Sequence, residues 1–146
     1  MEETTHTLGR RSLTVDAARR MLDAGLQAAE STGKRFSIAI VDDAGVLKAF
    51  ARMDGASLVS VQVAEDKAYT AGASGRASHQ WDEMLENDPP LARGVPTGIR
   101  RLVTFGGGYP IRLDGELVGG IGVSGAHYSE DMEIAQATLD VVGAPY

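Results

Sequence analysis

The sequence has no cysteine, few aromatic residues and no long apolar run. Without cysteine, disulfides, zinc–thiolate sites, iron–sulfur clusters and thiol catalysis are excluded. Aromatic residues make up only 5% of the chain, which leaves few rings to enclose a large planar ligand. No apolar run reaches the roughly 20 residues that a membrane-spanning helix needs. We therefore expect no membrane partner.

Positive charge is also scarce. The chain has 14 Lys and Arg against 20 Asp and Glu, for a net charge of −6. The pairs Arg10–Arg11 and Arg100–Arg101 are isolated, so there is no basic stripe of the kind that nucleic-acid binding requires. The acidic, polar N-terminus is unlike a signal peptide. These features predict no nucleic-acid partner and favour a cytoplasmic location.

The length and the predicted elements favour one domain. A chain of 146 residues is within the range of a single domain and is long enough to bury a sizeable core. We expect residues 1–12 to form a flexible N-terminal tail and residues 13–146 to form the domain. Apolar periodicity, caps and breakers predict helices and strands through most of it. The predicted helices span residues 14–31, 57–75, 78–88 and 128–142, and the predicted strands span residues 36–41, 46–52, 103–112 and 117–126.

The predicted order of elements is α-β-β-α-α-β-β-α. Hairpins joined by helices indicate an antiparallel sheet flanked by helices, which is an α+β fold. Residues 91–100 contain Gly94, Pro96 and Gly98 and are expected to be irregular.

Glycine is concentrated in the last predicted hairpin, most of all at Gly106, Gly107 and Gly108. Glycine is unfavourable inside a strand because it costs backbone entropy and packs nothing. Its abundance here indicates that something approaches the backbone closely. One interpretation is an anionic ligand facing the N–H groups of the glycine turn. The other is a helix or a second subunit crossing the strands.

Two histidines lie in the predicted domain. His79 stands between Gly75, a helix end, and Trp81, and its imidazole is suited to act as a base or as a metal ligand. The other interpretation, a polar residue at a helix start, is the more common use of such a position. His127 follows the last strand, a position found both in functional sites and in ordinary turns. Two histidines are too few for a three-histidine site, and we expect no metal centre built from protein ligands.

Charged residues in the first half of the chain give further candidates. Lys67 lies among apolar residues of the second helix, and a buried lysine needs a partner. That partner is either a ligand carboxylate or a carboxylate of the chain, such as Asp54 or Glu65. Arg52 ends the second strand and is able to clamp a carboxylate or to pair with Asp54. The ligand-binding and structural interpretations stay open for both cations.

Several segments occur in the order and spacing of one known family. They are SIAIVD (37–42), FARMDG (50–55), DKAYTA (66–71), FGGG (105–108) and GGIGVSGA (119–126). Through them the chain resembles the GlcG/HbpS-like family, also called the haem-degrading or PduO C-terminal-like domain, from residue 13 to residue 142. The resemblance implies a profilin-like fold and homo-oligomers, and it makes haem a candidate cofactor.

The residues and the resemblance together favour a small-ligand-binding protein whose ligand carries a carboxylate. Its pocket is expected to be lined by Lys67, His79, Trp81, Pro110 and the glycine turn 106–108.

The alternative is a cofactor-free isomerase, lyase or hydrolase acting on a small carboxylated substrate. In that hypothesis His79 or Glu65 is the base and His127 is the acid. Arg52, Lys67 and the glycine turn would then hold the substrate carboxylate.

Overall fold

The computed structural model describes residues 6–146. The first five residues of the predicted tail lie outside this range. The helices are α1 (Val15–Ser31), α2 (Leu58–Ser74), α3 (Gln80–Glu86), α4 (Pro89–Gly98) and α5 (Tyr128–Asp140). The strands are β1 (Ser37–Asp42), β2 (Leu47–Arg52), β3 (Gly108–Leu113) and β4 (Glu116–Ser124). Among residues 6–146, no helix combines the length and the hydropathy needed to cross a membrane.

The strands form one antiparallel sheet in the order β2-β1-β4-β3. Helix α2 packs on one face, and α1 and α5 pack together on the other. The predicted antiparallel sheet flanked by helices is therefore confirmed. The β3–β4 hairpin closes through Asp114 and Gly115, whose φ angles of 52° and 80° suit a two-residue turn that needs positive φ at both positions.

The apolar residues of β1 serve both faces of the sheet. Ile38 and Ile40 belong to the larger core beneath α1 and α5, whereas Ala39 and Val41 pack against α2. This follows from the alternation of side chains along a strand. The larger core takes bulky residues, while the α2 side is filled by small ones, so α2 lies unusually close to the sheet.

Glycines on β3 and β4 make that close approach geometrically feasible. A Cβ added at Gly122 would stand 2.1 Å from the carbonyl oxygen of Ala64, and one at Gly120 would stand 2.4 Å from that of Ala68. At Gly108 the corresponding distance to the Lys67 carbonyl oxygen is 2.5 Å. The absent side chains in the strands therefore leave room for the backbone of α2, and not for a ligand.

The segment between α2 and β3 differs from the prediction. Residues 91–98 lie in α4, whose first two positions are Pro89 and Pro90, where the missing N–H groups are not needed, and the helix continues through Pro96 in its interior. Asp88 caps this helix by accepting a hydrogen bond from the N–H of Leu91 at 3.2 Å. Strand β3 begins at Gly108 and not at residue 103. His79, and not Ser78, is the residue before α3, since the Ser78 hydroxyl accepts a hydrogen bond from the N–H of Gly108 at 2.9 Å.

Candidate functional site

A cavity of about 290 Å³ lies between the start of α3, the loop before β3 and the start of α5. We call it the His79 cavity. It is lined by His79, Asp82, Thr104, Phe105, Gly106 and Tyr128. The segment that carries His79 turns toward the cavity because Gly75 ends α2 in the left-handed conformation. Glycine adopts this conformation at little cost.

His79 has an unused ring nitrogen. Its Nδ1 atom is sequestered from solvent and has no hydrogen-bond partner among residues 6–146. The ring meets that of Tyr109 edge-on, with centroids 5.7 Å apart. Burial lowers the pKa of His79 below its ordinary value of 6.5, so the imidazole is neutral at pH 7. A neutral imidazole keeps a lone pair for a metal ion or a proton.

Two aromatic rings border the cavity. Phe105 and Tyr128 are each 49% exposed. The Lys67 ammonium lies 5.0 Å from the centroid of the Phe105 ring, within the range of a cation–π contact. These rings offer partly exposed aromatic surface to a planar ligand.

The glycines beside the cavity are held by their own neighbours. A Cβ at Gly106 would stand 2.4 Å from Sδ of Met132 in α5. Gly107 has a φ of 126°, and a Cβ there would stand 2.6 Å from the carbonyl oxygen of Val123. These two residues let the loop lie against α5 and β4, and Gly106 also lines the cavity.

Lys67 is fully buried beneath this loop. Its Nζ atom lies 2.8 Å from Oδ2 of Asp131 and donates a hydrogen bond to the carbonyl oxygen of Val123 at 2.8 Å. The predicted partners, Asp54 and Glu65, were wrong. Burial lowers the pKa of Lys67 and raises the pKa of Asp131, while their mutual attraction opposes both shifts. With its hydrogen bonds directed to these two partners, Lys67 is a structural residue.

Trp81 and Pro110 lie away from the His79 cavity. Trp81 lines a separate cavity beside α2. Pro110 is buried in β3 opposite Gly120. Of the expected pocket, the structure therefore brings together His79 and Gly106, which share one cavity, while Lys67 lies behind its wall.

The residues of the enzyme hypothesis are scattered. Arg52 borders a depression with Met53 and Arg35, and Glu65 borders another with Val46 and Leu47. His127 is exposed and caps α5, where its Nδ1 accepts a hydrogen bond from the N–H of Ser129 at 3.3 Å. His79, Glu65, His127 and Arg52 thus do not form one constellation in the described part of the chain.

Four residues that line the cavity were absent from the pocket predicted from the sequence: Asp82, Thr104, Phe105 and Tyr128. They come from three segments, and no short spacing links them. The position of Phe105 next to the glycine turn was the one local signal that could have included it.

The fold places the chain in the class of small α+β proteins with an antiparallel sheet between helical layers. The sequence model of the family described as "Haem degrading protein HbpS-like" matches residues 13–140. The chain therefore belongs to the HbpS-like family, and the resemblance expected from its motifs is confirmed.

Known proteins similar to this chain include an enzyme and two solved structures. The chain is 38% identical over 106 residues to the corrinoid adenosyltransferase PduO of Salmonella typhimurium, covering 72% of this chain and 31% of that enzyme. It spans only about a third of that relative's length. The crystal structure of Klebsiella pneumoniae protein ORFY aligns with a TM-score of 0.91 at 26% identity, covering 99% of this chain and 100% of that one. The crystal structure of a PduOC:haem complex aligns with a TM-score of 0.84 at 32% identity, covering 92% of this chain and 99% of that one.

Proposed function

We propose that this protein binds haem at the His79 cavity, with the imidazole of His79 as a ligand of the iron. The observation that carries the proposal is the neutral imidazole of His79, which lines a cavity bordered by two half-exposed aromatic rings. The similarity to a protein solved as a haem complex supports it.

His79, Thr104 and the two aromatic rings fit this cofactor in chemistry, and the cavity fits it in part in size, whereas the carboxylate of Asp82 in the same lining favours a propionate position away from it. Histidine is a common axial ligand of haem iron, and Phe105 and Tyr128 offer aromatic surface to the macrocycle. Thr104 supplies a hydroxyl donor for a propionate, which agrees with the expected carboxylated ligand. The volume of about 290 Å³ is at the lower limit of the roughly 300–1,000 Å³ pockets that enclose drug-sized ligands. Part of the macrocycle would therefore stand outside the cavity.

Haem supplies a redox-active iron when bound, and the residues of the chain set its surroundings. Burial holds His79 in the neutral form that ligates iron. The edge-on contact with Tyr109 restrains the orientation of the imidazole ring. The Lys67–Asp131 pair holds β4 and α5 together behind the cavity.

Substitution of His79 tests the proposal. We expect hemin titrated into the wild-type protein to give a saturable shift of the Soret band. In His79→Ala the affinity should fall by about tenfold or more, because the loss of one ligand bond of 1.4 kcal/mol or more corresponds to that ratio. The measurement is the Soret absorbance as a function of hemin concentration.

The matched control is His6→Ala, which removes an exposed histidine far along the chain from the cavity. It should bind hemin as the wild type does, and the far-ultraviolet circular dichroism of both variants should be unchanged. A wild-type protein with no saturable Soret change, or a His79→Ala variant that binds equally well, would contradict haem ligation by His79.

We also propose that the protein is a homo-oligomer, as the family resemblance implies. Leu58 and Val59, at the start of α2, are 78% and 65% exposed, and adjacent exposed apolar residues are typical of contact surfaces. Multi-angle light scattering at micromolar concentration should give a mass that is a multiple of the 15.4 kDa chain. Leu58→Glu should lower that mass, and a wild-type mass of one chain would overturn the proposal.

A further inference from the structure

We propose that the cavity at Trp81 is a second ligand site, for small carboxylates with an apolar body. The cavity has a volume of about 200 Å³ and lies between α2, α3 and the loop 99–102. We call it the Trp81 cavity. It is lined by Tyr69, Thr70, Ala73, Ser74, Trp81 and the loop residues 99–102.

Its walls and size set the body of the ligand. Ala73, Ile99 and Leu102 contribute apolar surface, and Trp81 and Tyr69 contribute rings. A water molecule takes about 30 Å³ of liquid volume, so 200 Å³ corresponds to about seven waters. A single aromatic ring or a short branched chain would fill this space.

An unpaired guanidinium sets the charge of the ligand. Arg100 lines the cavity and forms no ion pair with any residue of the described range. A carboxylate would supply a counter-ion to this guanidinium, while the indole ring of Trp81 lies in the same cavity wall and would contact the apolar body of the ligand.

The loop that carries Arg100 is held in place by its neighbour. Arg101 adopts a φ of 63°, a conformation that non-glycine residues rarely adopt. Its Nε atom lies 2.9 Å from Oδ1 of Asp66, and its guanidinium lies 4.2 Å from the centroid of the Tyr69 ring. The hydroxyl of Thr70 donates a hydrogen bond to the Arg101 carbonyl at 2.9 Å. Because Arg101 is bound to residues of α2, we infer that the guanidinium of Arg100 is the one available to bind a ligand.

The Trp81 cavity is separate from the proposed haem site. The residues that line it do not overlap with those of the His79 cavity. His79 and Trp81 are only two positions apart, yet they line different cavities. Binding at the two sites is therefore separable by mutation.

The test uses benzoate as the probe and the only tryptophan of the chain as the reporter. In a ¹H–¹⁵N correlation spectrum the indole N–H gives a single side-chain signal. We expect benzoate to shift this signal in a saturable manner, whereas benzamide, of similar size but uncharged, should bind about tenfold more weakly. No saturable shift with benzoate, or equal affinity for benzamide, would overturn the proposal.

Variants then identify the residues involved. By calorimetry, Arg100→Gln should weaken benzoate binding about tenfold, since one charge-assisted contact is lost, and Trp81→Phe should weaken it severalfold. The matched control Arg93→Gln, an exposed arginine of α4 outside the lining, should leave the affinity unchanged. His79→Ala should also keep benzoate binding, which separates this site from haem binding. Unchanged affinity in Arg100→Gln would overturn the role of the guanidinium.

Discussion

Replacing Lys67 by methionine is expected to lower the free energy of unfolding by about 3–5 kcal/mol. The substitution keeps most of the side-chain volume but removes the ammonium that lies 2.8 Å from Asp131. Asp131 is then left buried without its counter-ion, and within residues 6–146 only the N–H of Ala126, at 3.2 Å, still donates to it. The measurement is equilibrium unfolding in urea, followed by circular dichroism.

The double variant Lys67→Met/Asp131→Leu is the matched control. When both charges are removed, no buried charge is left unpaired, and replacement of a buried ion pair by apolar residues is often neutral. We therefore expect the double variant to recover most of the stability lost in the single one. A single variant as stable as the wild type would contradict the structural role of Lys67, and a double variant no better than the single one would show that Asp131 is not the reason for the loss.

Gly122→Ala should destabilise the protein by about 3 kcal/mol or more, at or above the upper end of what overpacking usually costs. The new methyl group would stand 2.1 Å from the carbonyl oxygen of Ala64 and 2.4 Å from the backbone nitrogen of Ala68. Both are backbone atoms of α2, so relief requires the whole helix to move away from β4. Thermal and urea unfolding measure the loss.

Gly94→Ala provides the comparison. Gly94 lies within α4, and an added Cβ there meets no heavy atom within 4 Å. Because alanine favours a helix interior over glycine by roughly 0.5–1 kcal/mol, this variant should be as stable as the wild type or slightly more so. If Gly122→Ala and Gly94→Ala had similar stability, the close contact of α2 with β4 would not be what requires glycine.

Most of the fold could be predicted because its signals are local. Thr14 caps α1 as expected, accepting a hydrogen bond from the N–H of Ala17 at 3.1 Å, and Gly75 ends α2. Both hairpins follow from apolar runs separated by turn residues. Helix α4 was missed because Gly94 and Pro96 lower the helical propensity of a segment that tertiary context and the Asp88 cap still make helical.

The meaning of the glycines was harder to predict. In the sequence, the glycines of β3 and β4 were compatible with a ligand, with a crossing helix or with a second subunit. In the structure these glycines and the small residues of α2 are the two sides of one contact, since Gly120 faces Ala68 and Gly122 faces Ala64. A single sequence shows which residues are small, but not which small residues meet.

The candidate site could be predicted only where the chemistry of a single residue indicates it, and not where residues distant in the sequence come together. His79 was identified because its imidazole is suited to act as a base or as a metal ligand, and the structure places it in the wall of a cavity. The partner of Lys67 was not identified because Asp131 is 64 residues away, and no spacing rule extends that far. Trp81 lies near His79 in sequence, but the short helix α3 directs the two toward different cavities.

The backbone contact between α2 and β4 also bears on how the molecule can change shape. Because the carbonyl groups of α2 contact the glycine Cα atoms of β4 directly, no layer of side chains separates the two backbones. Sliding or rotation of α2 would require these backbones to separate, so we expect α2 and the central strands to move as one body. We therefore expect adjustment to an incoming molecule mainly in residues 75–106, the connection that borders both cavities. We thus expect the rigid part of the molecule, α2 with the central strands, to be distinct from the part that adjusts to a ligand, residues 75–106.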